Sequence, residues 1–152
     1  MDVYLYLTAP PYLADFIHYI YGNPAFLPKY SVERNIIHKY VRRLQKDEKP
    51  DIGTGANVRI LMPCFSDKDP RTYNALSPKA KQYLIKSFLE QFDVFLYRKI
   101  IQPKVFSKIT LNEHIYLFME KYGIEDNESN WCAISQRVYR LKKKLSSNNI
   151  LM

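Results

Sequence analysis

The chain has 152 residues, 47% of them hydrophobic and 14% aromatic, so it can bury a core and is not disordered throughout. Its 23 lysines and arginines outnumber its 15 aspartates and glutamates, and the net charge of +8 favours an anionic partner, nucleic acid before a membrane surface or an acidic protein. Two cysteines argue against a disulfide framework or structural zinc, and no apolar run reaches the roughly 20 residues of a membrane span, so we expect a cytoplasmic protein without cofactor or metal.

The first third of the chain predicts two strands and two helices. Residues 3–8 are rich in aromatic and branched side chains, as strands are, and the apolar residues that follow recur at helical spacing as far as Gly22. Ser31 is a predicted N-cap for a helix that continues to about Lys46. Residues 58–62 form the second predicted strand, which we expect to pair antiparallel with the first.

The middle of the chain predicts a loop and then a long central helix. The Asp, Pro and Asn content of residues 65–76 indicates an irregular loop. Ser77 followed by Pro78 is a strong helix start, and the helix is predicted to run to Ile101 and to be ended by Pro103. Its apolar residues spread most of the way round the helix, which is typical of a helix packed on several sides.

Two further helices are predicted at the C-terminal end. Thr110 and Glu113 fit a capping box at the start of the first one, and Gly123 is its expected C-cap. The last helix covers residues 131–145 and is preceded by a polar loop. A helix, a turn and an amphipathic basic helix are the order of a helix-turn-helix, although the interval from Gly123 to the last helix is longer than the usual three or four residues.

The last helix has an apolar side and a basic side. At about 100° per residue, its apolar side comprises Trp131, Ile134, Val138, Leu141 and Leu145. The opposite side is centred on Gln136, Arg140 and Lys143, and Arg137 and Lys144 flank it along one edge. These five residues are the candidate DNA contacts. No acidic residue within residues 131–145 can pair with these cations, and arginine and lysine bind phosphates while Gln and Arg also reach base edges. The alternative is an ordinary solvated face whose lysines complement the helix dipole.

A second basic surface is predicted on the helix that begins at Ser31. Arg42 and Lys46 lie opposite its apolar stripe, with His38 and Lys39 at the flanks. We expect Arg42 and Lys46 to be auxiliary phosphate contacts, which would add to the salt dependence of binding.

No catalytic or metal-binding constellation emerges from the sequence. Asp67 and Asp69 are separated by a lysine and make a poor cation site, so a turn is the better interpretation. The three histidines, His18, His38 and His114, fall in separate predicted helices. We therefore expect a protein that is not an enzyme. The two alternatives to DNA binding are an interaction or assembly factor whose basic surface meets an acidic protein and, behind it, a small basic nuclease.

The segment "LMPCFSDKDPRTYNALS" resembles short proteins of bacterial prophages and conjugative elements, in which an "LP" strand end precedes "K-[DN]-P-R-T-Y-N-x-L-S". The residues that carry the resemblance are Leu61, Pro63, Lys68, Asp69, Pro70, Arg71, Thr72, Tyr73, Asn74, Leu76 and Ser77. Met62 and Cys64 interrupt the simpler form. The resemblance implies a mobile-element setting and brings no active site, and the last two helices resemble those of phage transcriptional activators.

These patterns together predict an α+β fold, mainly α. A small two-stranded antiparallel element packs on the long central helix, and a helix-turn-helix-like pair ends the chain. We expect an α+β core domain over residues 1–108 and a DNA-binding region over residues 109–152. The expected function is regulation of transcription through double-stranded DNA, with a homodimer if the site is palindromic.

Overall fold

The computed structural model describes residues 2–104 and 108–147. They form, in chain order, β1 (Tyr4–Leu7), α1 (Pro11–Tyr21), α2 (Val32–Tyr40), β2 (Arg42–Arg43), β3 (Val58–Leu61), β4 (Tyr73–Ala75), α3 (Pro78–Leu96), a π-helical segment (Tyr97–Ile101), α4 (Gln102–Lys104), α5 (Leu111–Lys121) and α6 (Glu128–Ser147). The predicted class, α+β and mainly α, is confirmed. The chain divides into two compact units, Met1–Leu89 and Glu90–Met152. The division falls inside α3, whereas the sequence analysis places it after residue 108.

The predicted pairing of the first two strands is confirmed. Strand β1 pairs antiparallel with β3, with Leu5 opposite Ile60 and Leu7 opposite Val58. These four side chains are buried, while at the alternate positions Arg59 is exposed and Tyr4, Tyr6 and Leu61 are half-buried, which is the period of two expected for a sheet with one covered face. Helix α1 contacts β3 and supplies further buried side chains to the core of the first unit.

Helix α2 is shorter than predicted, and the prediction that it continues to Lys46 is wrong. It begins as expected, because the Ser31 hydroxyl accepts a hydrogen bond from the Arg34 amide at 3.2 Å. It ends at Tyr40, and Val41 is already extended, with φ −66° and ψ 137°. The Lys68 ammonium group donates to the His38 carbonyl at this end of the helix, which satisfies a group that the helix leaves without an internal partner.

A second two-stranded sheet explains why the chain leaves the helix there. Arg42 and Arg43 form β2, which pairs antiparallel with β4. The prediction of an irregular loop over residues 65–76 is therefore wrong at Tyr73–Ala75. Pairing supplies backbone partners to both segments, and only extended backbone can form it. The apolar spacing around residue 41 continues in a helical pattern, so local periodicity favours the wrong structure.

The first half of α3 completes the core of the first unit. The Ser77 hydroxyl accepts from the Ala80 amide at 3.1 Å, which confirms the predicted N-cap. Phe88 is fully buried and meets the Tyr21 ring edge-on, with 5.9 Å between ring centroids. The Ser87 hydroxyl donates to the carboxylate of Glu33, a buried residue of α2, at 3.0 Å.

In the second unit, the end of α3 and the π-helical segment pack with α5 and α6. Phe92 and Phe118 meet edge-to-face with centroids 5.6 Å apart, and Ile100 and Ile101 of the π-helical segment are buried. The backbone N–H of Gln102 donates to the Tyr97 carbonyl, five residues earlier. Pro103 cannot donate to the carbonyl four residues before it, which accounts for the departure from the α-helical pattern. Pro103 lies within α4, so the helical path does not stop before it.

Side-chain caps determine where α5 and α6 begin. Thr110 accepts from the Glu113 amide at 3.2 Å, as predicted, and Gly123 has the positive φ of 66° that favours glycine after a helix. Helix α6 starts earlier than predicted, because the Asn127 side chain accepts from the Asn130 amide at 2.8 Å. The buried Asn130 side chain in turn donates to the Glu125 carbonyl at 3.0 Å. Of the C-terminal tail, residues 148–152 lie outside the described residues.

Candidate nucleic-acid interface

The apolar side of α6 is anchored in the second unit. Ile134 and Val138 are fully buried, and Trp131, Leu141 and Leu145 are half-buried along the same side of the helix. The Trp131 ring stacks against Tyr116 of α5, with centroids 6.0 Å apart. This burial fixes the rotation of α6 about its axis, and therefore fixes which side chains lie on its opposite side.

Arg137 differs from the other predicted contact residues because a carboxylate from α3 holds it. Its Nε donates to Asp93 Oδ1 at 2.9 Å and its Nη2 to Asp93 Oδ2 at 2.8 Å. Only 22% of the Arg137 side chain and 26% of the Asp93 side chain are exposed. Two parallel, charge-assisted hydrogen bonds of this kind are strong and directional. The sequence analysis considers partners only within α6, so it misses this pair.

The remaining cations of α6 are exposed and lie toward its C-terminal end. Arg140, Lys142, Lys143 and Lys144, here called the basic segment, have no ion pair with any carboxylate of residues 2–104 or 108–147. Gln136 is also exposed, one turn earlier. The basic segment is therefore a concentrated positive charge on a helix that is held rigidly from its other side.

The opposite end of α6 is acidic. Glu125 and Asp126 precede the helix and Glu128 is its first residue, and all three are exposed. In a helix-turn-helix, the N-terminal residues of the second helix contact base edges. The connection from Lys121 to Glu128 also has six residues instead of three or four. Both observations separate α5 and α6 from a strict helix-turn-helix.

Comparison with known proteins identifies no relative. No family model matches the sequence, and neither does any curated protein or solved structure. Among the described residues, no helix is long and apolar enough to cross a membrane. The function therefore has to be inferred from the geometry and charge of the molecule itself.

Arg42 and Lys46 belong to the first unit and do not share a helical face. Arg42 lies in β2, and its guanidinium makes two hydrogen bonds with Glu48, Nη1 to Oε1 at 2.7 Å and Nη2 to Oε2 at 2.8 Å. Lys46 is an exposed residue beyond that strand. The prediction of a second basic helical surface is wrong, because the helix that would carry it ends at Tyr40.

The pair with Arg42 gives a pH-dependent prediction for the first unit. The hydrogen bonds from the Arg42 guanidinium, and then one from the Gln45 amide, lower the pKa of Glu48 from 4.5 to about 2. Because this pKa is depressed in the folded state, the stabilisation is fully present above pH 4.5 and is lost as the pH falls toward 2. We expect the Glu48 carboxyl carbon to titrate near pH 2 by NMR. In Arg42→Gln the pKa of Glu48 should rise toward 4.5 without reaching it, because the bond from the Gln45 amide remains, and an unchanged value in that variant would contradict the pairing.

The loop around Asp67, within residues 61–77, is held on α2 of the first unit. His38 Nε2 lies 2.8 Å from Asp67 Oδ1, and the His38 and Phe65 rings are in contact with centroids 4.5 Å apart. The bond to His38 is the main cause of a lowered pKa of Asp67. Asp69 bonds Arg71. The two aspartates thus hold the loop, and no group of three metal-ligating side chains occurs in the part of the chain that the structure describes.

Sequence reasoning missed the groups that pair across long separations. Asp93 is the main example, and a signal for it existed: it is the only acidic residue between Glu90 and Glu113. A lone carboxylate in a largely apolar stretch of helix needs a cationic partner. This signal indicates that Asp93 has a partner but not which one, since Arg98 and Lys99 are nearer in sequence than Arg137.

Proposed function

We propose that this protein binds double-stranded DNA through the C-terminal half of α6. The observation that carries the proposal is the basic segment, four exposed cations without carboxylate partners on a helix whose other side is buried. Of the predicted contacts, Arg140, Lys143 and Lys144 bind phosphates and Gln136 reaches a base edge. Lys142, which is not among them, adds only to the general attraction. Arg137 supports the surface from its pair with Asp93.

The helix dipole does not account for the whole basic segment. Cations stabilise a helix C-terminus, but the effect falls off within the last turn. Helix α6 extends at least to Ser147, the last residue that the structure describes, and Lys144 is the only basic residue of its last described turn. Arg140, Lys142 and Lys143 lie before that turn, so their density favours an external polyanion over an ordinary solvated helix end.

The charge along α6 also determines which end meets the DNA. Glu125, Asp126 and Glu128 at its start repel phosphates, whereas the basic segment attracts them. The C-terminal half is therefore the contacting part, in contrast to the second helix of a helix-turn-helix. In the mobile-element setting implied by the resemblance, regulation of transcription is the purpose that we assign to this binding. A homodimer is expected on a palindromic site.

A salt series with a labelled duplex tests the proposal. The three phosphate contacts, Arg140, Lys143 and Lys144, give a slope of about −2.7 for the logarithm of the binding constant against the logarithm of the salt concentration. Tyr139, which is 68% exposed beside the basic segment, offers a ring for stacking on unpaired bases. A single strand of equal length is therefore the competitor, and the duplex should bind more tightly.

Three results would contradict the proposal. If no binding to the duplex is detected at low salt, the basic segment would instead be assigned to binding an acidic protein. Stronger binding to the single strand would mean that the protein binds single-stranded rather than double-stranded nucleic acid. Cleavage of the labelled DNA, with or without magnesium, would mean that the protein is a nuclease.

A further inference from the structure

One side of the basic segment forms a recess beside the Arg137–Asp93 pair. The recess, of about 200 Å³, is lined by Asp93, Arg137, Arg140, Leu141 and Lys144. At about 30 Å³ for each liquid water, this volume corresponds to nearly seven waters, which is room for a tetrahedral anion of five heavy atoms. All of its lining residues belong to the second unit.

The charge of the recess is not balanced by the protein. Three cations and one carboxylate line it, so its net charge is +2. Asp93 is already engaged by the two hydrogen bonds from Arg137. Arg140 and Lys144 make no ion pair with the described carboxylates, so they carry the excess charge.

The spacing of these two cations is unfavourable unless an anion lies between them. Residues four apart are neighbours on a helix surface, and like charges at this spacing destabilise the helix. An anion bound by both Arg140 and Lys144 removes that repulsion. The half-buried Leu141 side chain forms an apolar wall, and water excluded from that wall strengthens the attraction.

The geometry points to this recess as the binding site of one backbone phosphate, with Arg140 and Lys144 as its ligands. The Arg137–Asp93 pair lines the recess beside them. The inference rests on the proposed function for the source of the phosphate, a nucleic-acid backbone. It goes beyond that function because it assigns different roles to individual cations of α6. Lys144 grips a phosphate at a defined position, while Lys142 lies outside the recess and contributes only general attraction.

Two matched variants test the inference in the full-length protein. Lys142→Ala and Lys144→Ala each remove one exposed lysine and the same charge from α6. We expect Lys144→Ala to reduce duplex affinity about tenfold at 100 mM salt and to reduce the magnitude of the salt slope by about 0.9. Lys142→Ala should change affinity less than about twofold. Equal losses of duplex affinity in the two variants would overturn the proposed phosphate site, while the proposal of DNA binding would stand.

A second measurement does not need DNA. Inorganic phosphate is titrated into the protein at low salt while the Nε–Hε NMR signal of Arg140 is followed. We expect a saturable shift in the unchanged protein and in Lys142→Ala, and only a weak linear drift in Lys144→Ala. If the unchanged protein binds no duplex but shows the saturable shift, the proposed function fails and the phosphate site remains. If the shift in the unchanged protein does not saturate, the proposed phosphate site is wrong.

Discussion

Replacing Arg140 and Lys143 together with alanine is expected to lower duplex affinity by about one to two orders of magnitude at 100 mM salt and to leave the melting temperature nearly unchanged. Each lost phosphate contact removes about 0.9 from the salt slope, so two contacts remove about 1.8. Both side chains are exposed and lie opposite Ile134 and Val138, which are buried. Binding titrations over a salt series and a thermal melt measure the two quantities separately.

The matched control removes the same charge from another place in the second unit. Arg98 and Lys99 are exposed residues of the π-helical segment, so Arg98→Ala with Lys99→Ala also lowers the net charge by two. If binding depends on the basic segment, this control retains most of the affinity. Equal losses would mean that net charge alone attracts DNA. A parallel fall in melting temperature for the α6 variant would mean that its polar side is part of the fold.

Phe92→Ala is expected to lower the free energy of unfolding of the second unit by about 3–5 kcal/mol, which is the usual effect of truncating a fully buried phenylalanine. Phe92 has no exposed surface and packs edge-to-face with Phe118 of α5. Removing the ring leaves a cavity that the surrounding side chains fill only in part. Trp131, the single tryptophan of the chain, belongs to this unit, and its fluorescence during urea denaturation reports the change.

Val94→Ala provides the comparison for that experiment. Val94 lies two residues away on the same helix and is 46% exposed, so its truncation should change the free energy of unfolding by no more than about 0.5 kcal/mol. A loss below about 1 kcal/mol in Phe92→Ala would contradict the packing described for this core.

Helix starts and the two longer strands could be predicted because the signal for each element lies in neighbouring residues. Ser31, Ser77 and Thr110 each accept the amide hydrogen bond that their spacing predicts. The pairing of β1 with β3 follows from two apolar, branched segments that need backbone partners. In each case the sequence signal lies within about six residues.

The elements that were missed depend on partners far along the chain. Strands β2 and β4 have two and three residues, too few to show a period of two, and they pair across about thirty residues. The Arg137–Asp93 pair joins residues 44 apart, and the isolated position of Asp93 in the sequence indicates a cationic partner without identifying Arg137. The earlier start of α6 is different, because Asn127 is a local cap that the sequence analysis overlooked.

The separation of opposite charges along α6 has a consequence for how it meets other molecules in solution. At 1.5 Å per residue, its acidic start and the middle of the basic segment are about 20 Å apart. Mobile ions at physiological strength attenuate a charge over about 8 Å. An approaching strand near the basic end therefore experiences little of the opposing field from Glu128, and the helix behaves electrostatically as two independent poles.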